Sequence, residues 1–244
     1  MTDRPHGLGW WLYQPWKWLV FAPLLAASTV FFGLLVLLLM PFLPPGLVSR
    51  LCGGGWARFN AFMTPMRVRV QGGEHLDPRR SYVIVCNHQS HYDVFVLYGW
   101  LGVDFKWVMK AELRRVPVLG AACARLGHVF VDRSNRAEAL ATLESAKKRI
   151  RDGTSVLFFP EGTRSRSGEL GDFKKGAFRM ALDLGLPILP MTIRGTRDVL
   201  PAKGLDLRPG SATLTIHPAI PVEGCTLDDI PVLMRRTRDA IASD

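Results

Sequence analysis

The sequence predicts an α/β protein: a mixed, largely parallel sheet flanked by helices, preceded by a membrane-embedded helical anchor. Three observations predict it. Apolar runs of strand length alternate with helical patterns from residue 67 onward. Polar motifs directly follow two of these runs, as happens where ligands bind at the carboxyl ends of parallel strands. One long apolar stretch dominates the first 60 residues. We therefore expect an anchor of one or two helices over residues 1–60 and an α/β domain over residues 61–244.

The anchor is predicted from residues 19–43, which carry no charge. As a helix this stretch would reach roughly 37 Å, against a hydrocarbon core near 30 Å. It is too long for an ordinary signal peptide. An aromatic cluster precedes it and helix breakers follow it: Trp10, Trp11, Tyr13, Trp16 and Trp18, then Pro41, Pro44, Pro45 and Gly46. Pro23 and Gly33 permit a bend, and positive residues on both sides favour a hairpin that returns to the cytoplasm.

The chain is basic, with a formal net charge of +10. We expect this charge to attract anionic membrane lipids rather than nucleic acid, because no zinc-finger, RNA-recognition or helix-turn-helix pattern accompanies it. The four scattered cysteines are predicted to be reduced core residues, which is consistent with a domain that faces the cytosol.

Strands in the α/β domain are predicted where apolar or alternating runs are bounded by turn residues. In chain order these are residues 67–71, 82–86, 105–109, 129–131, 155–158, 188–193 and 212–216. Helices are predicted through residues 94–98, from Pro117, and from an Asn135 cap until Gly153. Acidic residues before Pro231 and basic residues after it predict a carboxyl-terminal helix.

The first motif, NHQSHYD at residues 87–93, follows the strand predicted at residues 82–86. His88 would emerge just past the carboxyl end of that strand, where open α/β sheets place their ligands. Neutral imidazole takes a proton from an alcohol near pH 7, and a carboxylate on its far nitrogen fixes the tautomer. His88 and Asp93 are therefore the candidate base and its orienting acid.

The second motif, FPEGTRSR at residues 159–166, follows the strand predicted at residues 155–158. It joins a carboxylate, Glu161, to a glycine that permits close backbone approach, Gly162, and to the arginine fork of Arg164. A guanidinium fork holds phosphate oxygens in bidentate fashion. The sequence therefore predicts an anionic substrate in a crevice that two strand ends share.

These motifs resemble those of the PlsC-type 1-acylglycerol-3-phosphate acyltransferase family. Asn87, His88, Ser90 and Asp93 match the family pattern N-H-x-S-x-x-D, and residues 159–165 match F-P-E-G-T-R-S at every position. Two further blocks complete the family order, one at residues 110–133 between these motifs and one at residues 186–190 after them. The resemblance covers about residues 70–195.

The resemblance implies an enzyme that moves a fatty acyl group from a thioester to the sn-2 hydroxyl of lysophosphatidic acid, giving phosphatidic acid. His88, oriented by Asp93, would deprotonate the hydroxyl. The donor would be acyl-CoA or acyl carrier protein, and no metal or other cofactor is needed. The resemblance also favours a helix pair embedded in one leaflet of the inner membrane, with the active site facing the cytosol.

The same resemblance assigns the substrate-binding residues. Glu161 would position the glycerol portion of the acceptor, and Arg164 would bind its phosphate. Gly162 and Thr163 belong to the same loop. Positive charge for that phosphate would also come from Arg133 and Lys110.

Other interpretations remain open at this point. The acceptor could be glycerol 3-phosphate, another lysophospholipid or a lyso-aminolipid, since the motifs do not separate these. A non-catalytic lipid-binding module ranks lower, because His88 and Asp93 are both present. A hydrolase ranks lower still, and release of free fatty acid without an acceptor would reveal it. His91 with His88 and Asp93 would form a cluster that resembles a metal site, but no further ligand pattern supports it. Ser90 would be a nucleophile beside His88, but the chain has no G-x-S-x-G elbow.

Overall fold

The computed structural model describes residues 7–132 and 134–243. The strands of its α/β domain are β1 Met66–Gln71, β2 Val83–Cys86, β3 Phe105–Lys110, β4 Val129–Val131, β5 Ser155–Phe158, β6 Ile188–Arg194 and β7 Gly210–Ile216. Within the described residues they form one seven-stranded sheet in the order β1-β7-β6-β2-β5-β3-β4. The α/β prediction is confirmed, and every predicted strand is present.

The sheet is mostly parallel. β6, β2, β5, β3 and β4 run in one direction, β7 pairs antiparallel with β6, and β1 pairs parallel with β7. The central strand β2 is fully buried on both faces, with Ile84 and Cys86 in one core cluster and Val83 and Val85 in the other. A strand buried on both faces has an uninterrupted apolar sequence, which explains the run that precedes the first motif.

Helices cover both faces of this sheet. Gly54–Met63 and Asp93–Trp100 pack on the face that contains Ile84, and Gly176–Leu184 and Ile230–Ala242 pack on the opposite face. The remaining elements of the domain are the helices Leu119–Arg125, Arg136–Lys147 and Thr196–Val199 and the 3₁₀ turns Gly73–His75, Ala111–Arg115 and Leu227–Asp229.

Two helix ends differ from the prediction. The helix expected at Pro117 begins at Leu119, because Val118 has φ +61°, outside the helical region. The Asn135 side chain caps its helix as predicted, by accepting the backbone N–H groups of Ala137 and Glu138, but that helix ends at Lys147, before Gly153.

The amino-terminal part is a pair of helices. The apolar helix consists of Leu8–Pro15, a π-helical stretch Trp16–Phe21 and Ala22–Leu39. It is long and apolar enough to cross a membrane over Trp10–Leu39. The chain turns at residues 40–44, and the return helix follows as Pro45–Val48, Ser49–Gly53 and Gly54–Met63. The helix therefore breaks at the predicted prolines, not at Pro23 or Gly33, and the return helix extends past residue 60.

Polar contacts fix the apolar helix along the α/β domain. Near its start, Lys17 Nζ donates to the Leu205 carbonyl at 2.8 Å. In its middle, Ser28 exchanges hydrogen bonds with Asn60 of the return helix at 3.1–3.2 Å. Beyond its end, Gly46 packs against Asp104, next to β3. The helix thus lies along the domain instead of projecting from it.

Candidate active site

The carboxyl ends of β6, β2 and β5 lie side by side, and the two motifs leave the sheet there. The first motif follows β2 directly, and the second follows β5. They are in contact, since the Ser165 N–H donates to the His88 carbonyl at 2.7 Å. The sheet therefore brings both motif loops to one crevice.

His88 and Asp93 form a hydrogen-bonded pair. Nδ1 of His88 lies 2.8 Å from Oδ2 of Asp93, whose side chain is completely buried, while 17% of the His88 side chain stays exposed. A carboxylate only accepts hydrogen bonds, so Nδ1 carries the proton and Nε2 is left as an acceptor. This is the tautomer that a general base requires.

Three more donors hold Asp93. Its Oδ2 accepts the backbone N–H groups of Gln89 at 2.7 Å and Ser90 at 2.9 Å, and its Oδ1 accepts the Thr196 hydroxyl at 2.5 Å. Asp93 also begins the helix Asp93–Trp100, whose dipole favours negative charge at that end. Sequence reasoning missed Thr196. The sequence did contain one signal for Thr196: it is a polar residue just past the strand predicted at residues 188–193, and therefore at the same edge of the sheet as His88.

The loop that carries His88 is fixed on several sides. The imidazole stacks on the Phe159 ring, with centroids 3.9 Å apart and planes at 10°. The Asn87 amide pairs with Ile193 of β6, donating to its carbonyl at 2.9 Å and accepting its N–H at 2.7 Å. The Ser90 hydroxyl donates to the Leu200 carbonyl at 2.6 Å. Ser90 therefore bonds to the backbone and does not act on His88.

Glu161 joins the His88 loop to its own loop, which runs from β5 to the helix Gly176–Leu184. Its Oε1 accepts the His88 N–H at 2.9 Å and its Oε2 accepts the Gly171 N–H at 2.8 Å, and the residue is only 8% exposed. Both carboxylate oxygens are therefore bonded to backbone groups. In this arrangement Glu161 positions the loop of the candidate base.

Two of the three predicted cationic residues, Lys110 and Arg164, line the same cavity as His88. Lys110 ends β3, and Arg164 follows Glu161 in the second motif. Gly162 has φ +74°, and the Lys174 ammonium lies 2.8 Å from where its Cβ would be, so the site brings in a lysine that the prediction did not include. Arg133 lies outside the described residues.

Two cavities meet at the loop of the second motif, residues 159–166. One, of about 500 Å³, is mostly apolar and extends from His88 between the apolar helix and the α/β domain. It is lined by residues such as Phe32, Val36, Trp56, Val94, Trp107, Leu119, Ala122, Cys123 and Leu126. The other, of about 960 Å³, is open and is lined by charged residues of both signs: the basic Arg164, Arg166, Lys174 and Lys203 and the acidic Glu161, Glu169 and Asp172. Thr163 and Arg164 line both cavities and so mark the boundary between them.

A buried polar chain also borders the apolar cavity. His128 accepts the Trp107 N–H on Nδ1 at 3.2 Å, its Nε2 lies 2.9 Å from the Tyr98 hydroxyl, and that hydroxyl lies 3.0 Å from the Ser49 hydroxyl of the return helix. Burial, followed by the nearby Lys106 charge, lowers the pKa of His128 to about 3. His128 is therefore neutral and donates from Nε2 to Tyr98.

Among the described residues, no group of three His, Cys, Asp or Glu side chains is arranged to hold a metal ion. His91 lines the apolar cavity beside His88 and Arg164. Burial first, and then the positive charges of Arg164 and His88, lower the pKa of His91. The four cysteines are free thiols.

Comparison with known proteins identifies the family of this fold and site. Residues 67–194 match the model of the acyltransferase family, a range that begins in β1 and ends with β6. The chain belongs to the acyltransferase family. The match includes both motif loops and the strands that position them.

Curated relatives carry one activity in their names. A 1-acyl-sn-glycerol-3-phosphate acyltransferase of Pseudomonas aeruginosa is 34% identical over 86% of this chain and 83% of that protein. One from Chlamydomonas reinhardtii is 38% identical over 64% of this chain, and the human alpha enzyme is 33% identical over 74%. The matches cover 47% and 64% of these two proteins, so the chain spans about half to two thirds of their length.

The fold is also similar to a solved structure. The crystal structure of PlsC, a 1-acyl-sn-glycerophosphate acyltransferase from Thermotoga maritima, superposes with a TM-score of 0.76 at 26% identity. The superposition covers 93% of this chain and 95% of that one. It therefore includes the amino-terminal helix pair as well as the α/β domain.

Proposed function

We propose that this acyltransferase moves a fatty acyl group from a thioester donor to the sn-2 hydroxyl of lysophosphatidic acid and so forms phosphatidic acid. The observation that carries the proposal is the His88–Asp93 pair beside an apolar cavity, which at Arg164 adjoins an open cavity whose lining includes Arg166, Lys174 and Lys203 as well as three acidic residues. An acyl chain requires the first environment, and a phosphate requires the second. The names of the curated relatives support the same substrates.

The chemistry follows from the tautomer. Nε2 of His88 takes the proton of the acceptor hydroxyl as its oxygen attacks the thioester carbonyl carbon. The tetrahedral intermediate then collapses, the carbon–sulfur bond breaks, and the imidazolium returns the proton to the departing thiolate. Asp93 stays ionised and stabilises the imidazolium between these steps. No metal or redox cofactor enters the balance, and the donor is acyl-CoA or acyl carrier protein.

The two cavities would divide the substrates by polarity. The acyl chain lies in the apolar cavity, and the acceptor phosphate binds the Arg164 guanidinium at the boundary, with Lys110 and Lys174 adding charge nearby. Glu161 acts on the acceptor through the position of the His88 loop. Arg133, from the family's second motif, is a further candidate for the phosphate.

We further propose that the helix pair is embedded in one leaflet of the inner membrane, with the active site on the cytosolic side. One face of the apolar helix is exposed along its length, with Leu19, Phe31 and Leu38 each more than half exposed. The other face is buried, as at Gly33 and Val36. A helix that crossed a bilayer alone would have lipid on all sides. A cytosolic site also has access to coenzyme A and acyl carrier protein.

A matrix of donors and acceptors tests the activity. Purified protein in detergent receives acyl-CoA or acyl carrier protein thioesters, each with lysophosphatidic acid, glycerol 3-phosphate, lysophosphatidylcholine or no acceptor. We expect phosphatidic acid to be the main product. A preference for another acceptor would correct the substrate, and release of fatty acid at the same rate without acceptor would identify a hydrolase.

A further inference from the structure

Besides the exposed face of the apolar helix, a short surface segment outside the helix pair carries both apolar and cationic side chains. It is the segment of residues 111–118, which leaves β3 as the 3₁₀ turn Ala111–Arg115. Residues 112–117 are exposed without interruption. Leu113 is 38% exposed and Val116 is 40% exposed, and Arg114 and Arg115 stand between them. The segment thus presents two apolar and two cationic side chains together on the surface of the domain.

The segment is fixed to the apolar helix. Val118 has φ +61°, a strained conformation for a β-branched residue, and its Cγ1 lies 2.6 Å from where a Cβ of Gly33 would be. The contact therefore requires glycine at position 33. This contact places the segment against the middle of the apolar helix, in which the nearby residues Val30, Phe31 and Leu34 have exposed side chains.

We propose that the 111–118 segment is a second membrane contact, in which Leu113 and Val116 enter the lipid and Arg114 and Arg115 bind the phosphates of anionic phospholipids. This proposal rests on the membrane placement of the helix pair given above. Its exposed apolar groups, Leu113 and Val116, belong to a segment that packs on the apolar helix, and that helix also exposes apolar side chains. The charge also fits, because Lys110, Arg114 and Arg115 outweigh Glu112, and basic residues beside an apolar surface are attracted to anionic leaflets.

The contact has a consequence for substrate entry. Lys110, Leu113 and Leu119 line the apolar cavity that begins at His88. If the segment lies in the head-group region, this side of the cavity opens toward the lipid. An acyl chain then enters from the bilayer without crossing water, while its phosphate stays near Lys110. An acidic carrier protein is the other candidate occupant of the two arginines, but it would bind them without needing the exposed Leu113 and Val116 beside an apolar helix.

Photo-crosslinking in vesicles tests the proposal. A benzophenone amino acid replaces Val116, Leu34 or Val232 in the full chain, reconstituted in phosphatidylcholine that contains about a quarter phosphatidylglycerol, an anionic lipid. Leu34 reports on the apolar helix. Val232 is the matched control, because it is 43% exposed and lies on the carboxyl-terminal helix, on the opposite face of the sheet from the return helix. Mass spectrometry then detects the lipid adducts.

We expect lipid adducts at positions 116 and 34 and none at 232. Replacing both arginines by glutamate, R114E with R115E, should lower the adduct at 116 about tenfold, since each basic residue near an anionic surface contributes to the attraction. The matched variant, R235E with R236E, should leave it unchanged. Adducts at 34 but not at 116 would overturn this proposal and leave the membrane placement intact, whereas adducts at neither would overturn both. An adduct at 116 with added acyl carrier protein instead of lipid would also overturn it.

Discussion

The two sides of the candidate site, the polar motif loops and the apolar cavity beside His88, are built in different ways. On the polar side, hydrogen bonds fix each group: Asp93 accepts four of them, and both oxygens of Glu161 bond to backbone N–H groups. On the apolar side, shape is set by packing of the helix pair against the domain, and the His128 chain is a polar exception. Substitutions on the polar side should therefore change rates, and those on the apolar side should change which acyl chains are accepted.

The largest effect is expected from His88→Ala. Removing a general base costs about a hundredfold to ten-thousandfold in rate, so kcat should fall by about a thousandfold or more. Urea unfolding checks that the fold is kept, since the imidazole also stacks on Phe159 and bonds to the buried Asp93 carboxylate. His91→Ala is the matched control, since His91 lines the same cavity and makes no hydrogen bond to a carboxylate among the described residues. Equal losses in the two variants would contradict the assignment of His88 as the base.

Asp93→Asn should be nearly as severe and should also destabilise the fold. Asparagine has only one acceptor oxygen, so its NH₂ group would face N–H or O–H donors that now bond to the carboxylate. The His88 imidazole would also lose the partner that fixes its tautomer. We expect kcat to fall about a thousandfold and the free energy of unfolding to fall by about 3 kcal/mol. Thr196→Val removes one of the four donors and should cost far less in both. Turnover kinetics and urea unfolding measure the two effects, and an active, stable Asp93→Asn enzyme would refute the comparison.

Glu161→Gln separates two roles for the glutamate. If it fixes the His88 loop, losing one backbone acceptor should lower kcat about tenfold to a hundredfold with little change in the KM for the acceptor. If it binds the acceptor's glycerol portion, the KM should rise while kcat is kept. The bonds to His88 and Gly171 lead us to expect the first result. Steady-state kinetics with lysophosphatidic acid varied at saturating donor decide between them.

The sequence predicted the polar side better than the apolar side. β2, β5 and both motifs are local patterns, so their placement at one sheet edge followed from strand rules alone. Thr196 and the Ile193 carbonyl were missed because they lie 103 and 106 positions from the groups they bond. The position of Thr196 just past β6 places it at the right sheet edge, but no local pattern tells which distant group it bonds.

The apolar helix shows why shape is harder to predict. The sequence permitted a bend at Pro23, but the helix continues through this residue. Pro23 lies just after the π-helical stretch Trp16–Phe21, where the hydrogen-bond register is already shifted. The backbone N–H that proline lacks therefore costs less there. The positive φ of Val118 was not predictable either, since the contact with Gly33 that maintains it joins distant parts of the chain. The cavity lies between these surfaces, so its size could not be read from the sequence.

His128 tests the apolar side through pH. Its pKa is lowered to about 3 in the folded protein by burial and by Lys106, whereas in the unfolded chain histidine titrates near 6.5. Between these values the unfolded chain binds the extra proton, so stability must fall as pH drops below about 6.5. From pH 7 to pH 5 this group should cost about 2 kcal/mol of unfolding free energy. His128→Gln should lose that part of the pH dependence, and an unchanged slope in chemical unfolding would refute it.

The smallest expected effect is a change of acyl-chain preference. Cys123 lines the apolar cavity, so Cys123→Phe should shorten the space available to the acyl chain without touching His88 or Asp93. With long-chain donors we expect kcat/KM to fall about tenfold, and with short-chain donors to stay near the wild-type value, because a few buried methylenes are worth about this much. Cys225→Phe is the matched control, since Cys225 is also half-buried but does not line the cavity. A loss that is equal for all chain lengths would mean that the substitution disturbs the catalytic loops, and that the two sides of the site are less independent than their construction suggests.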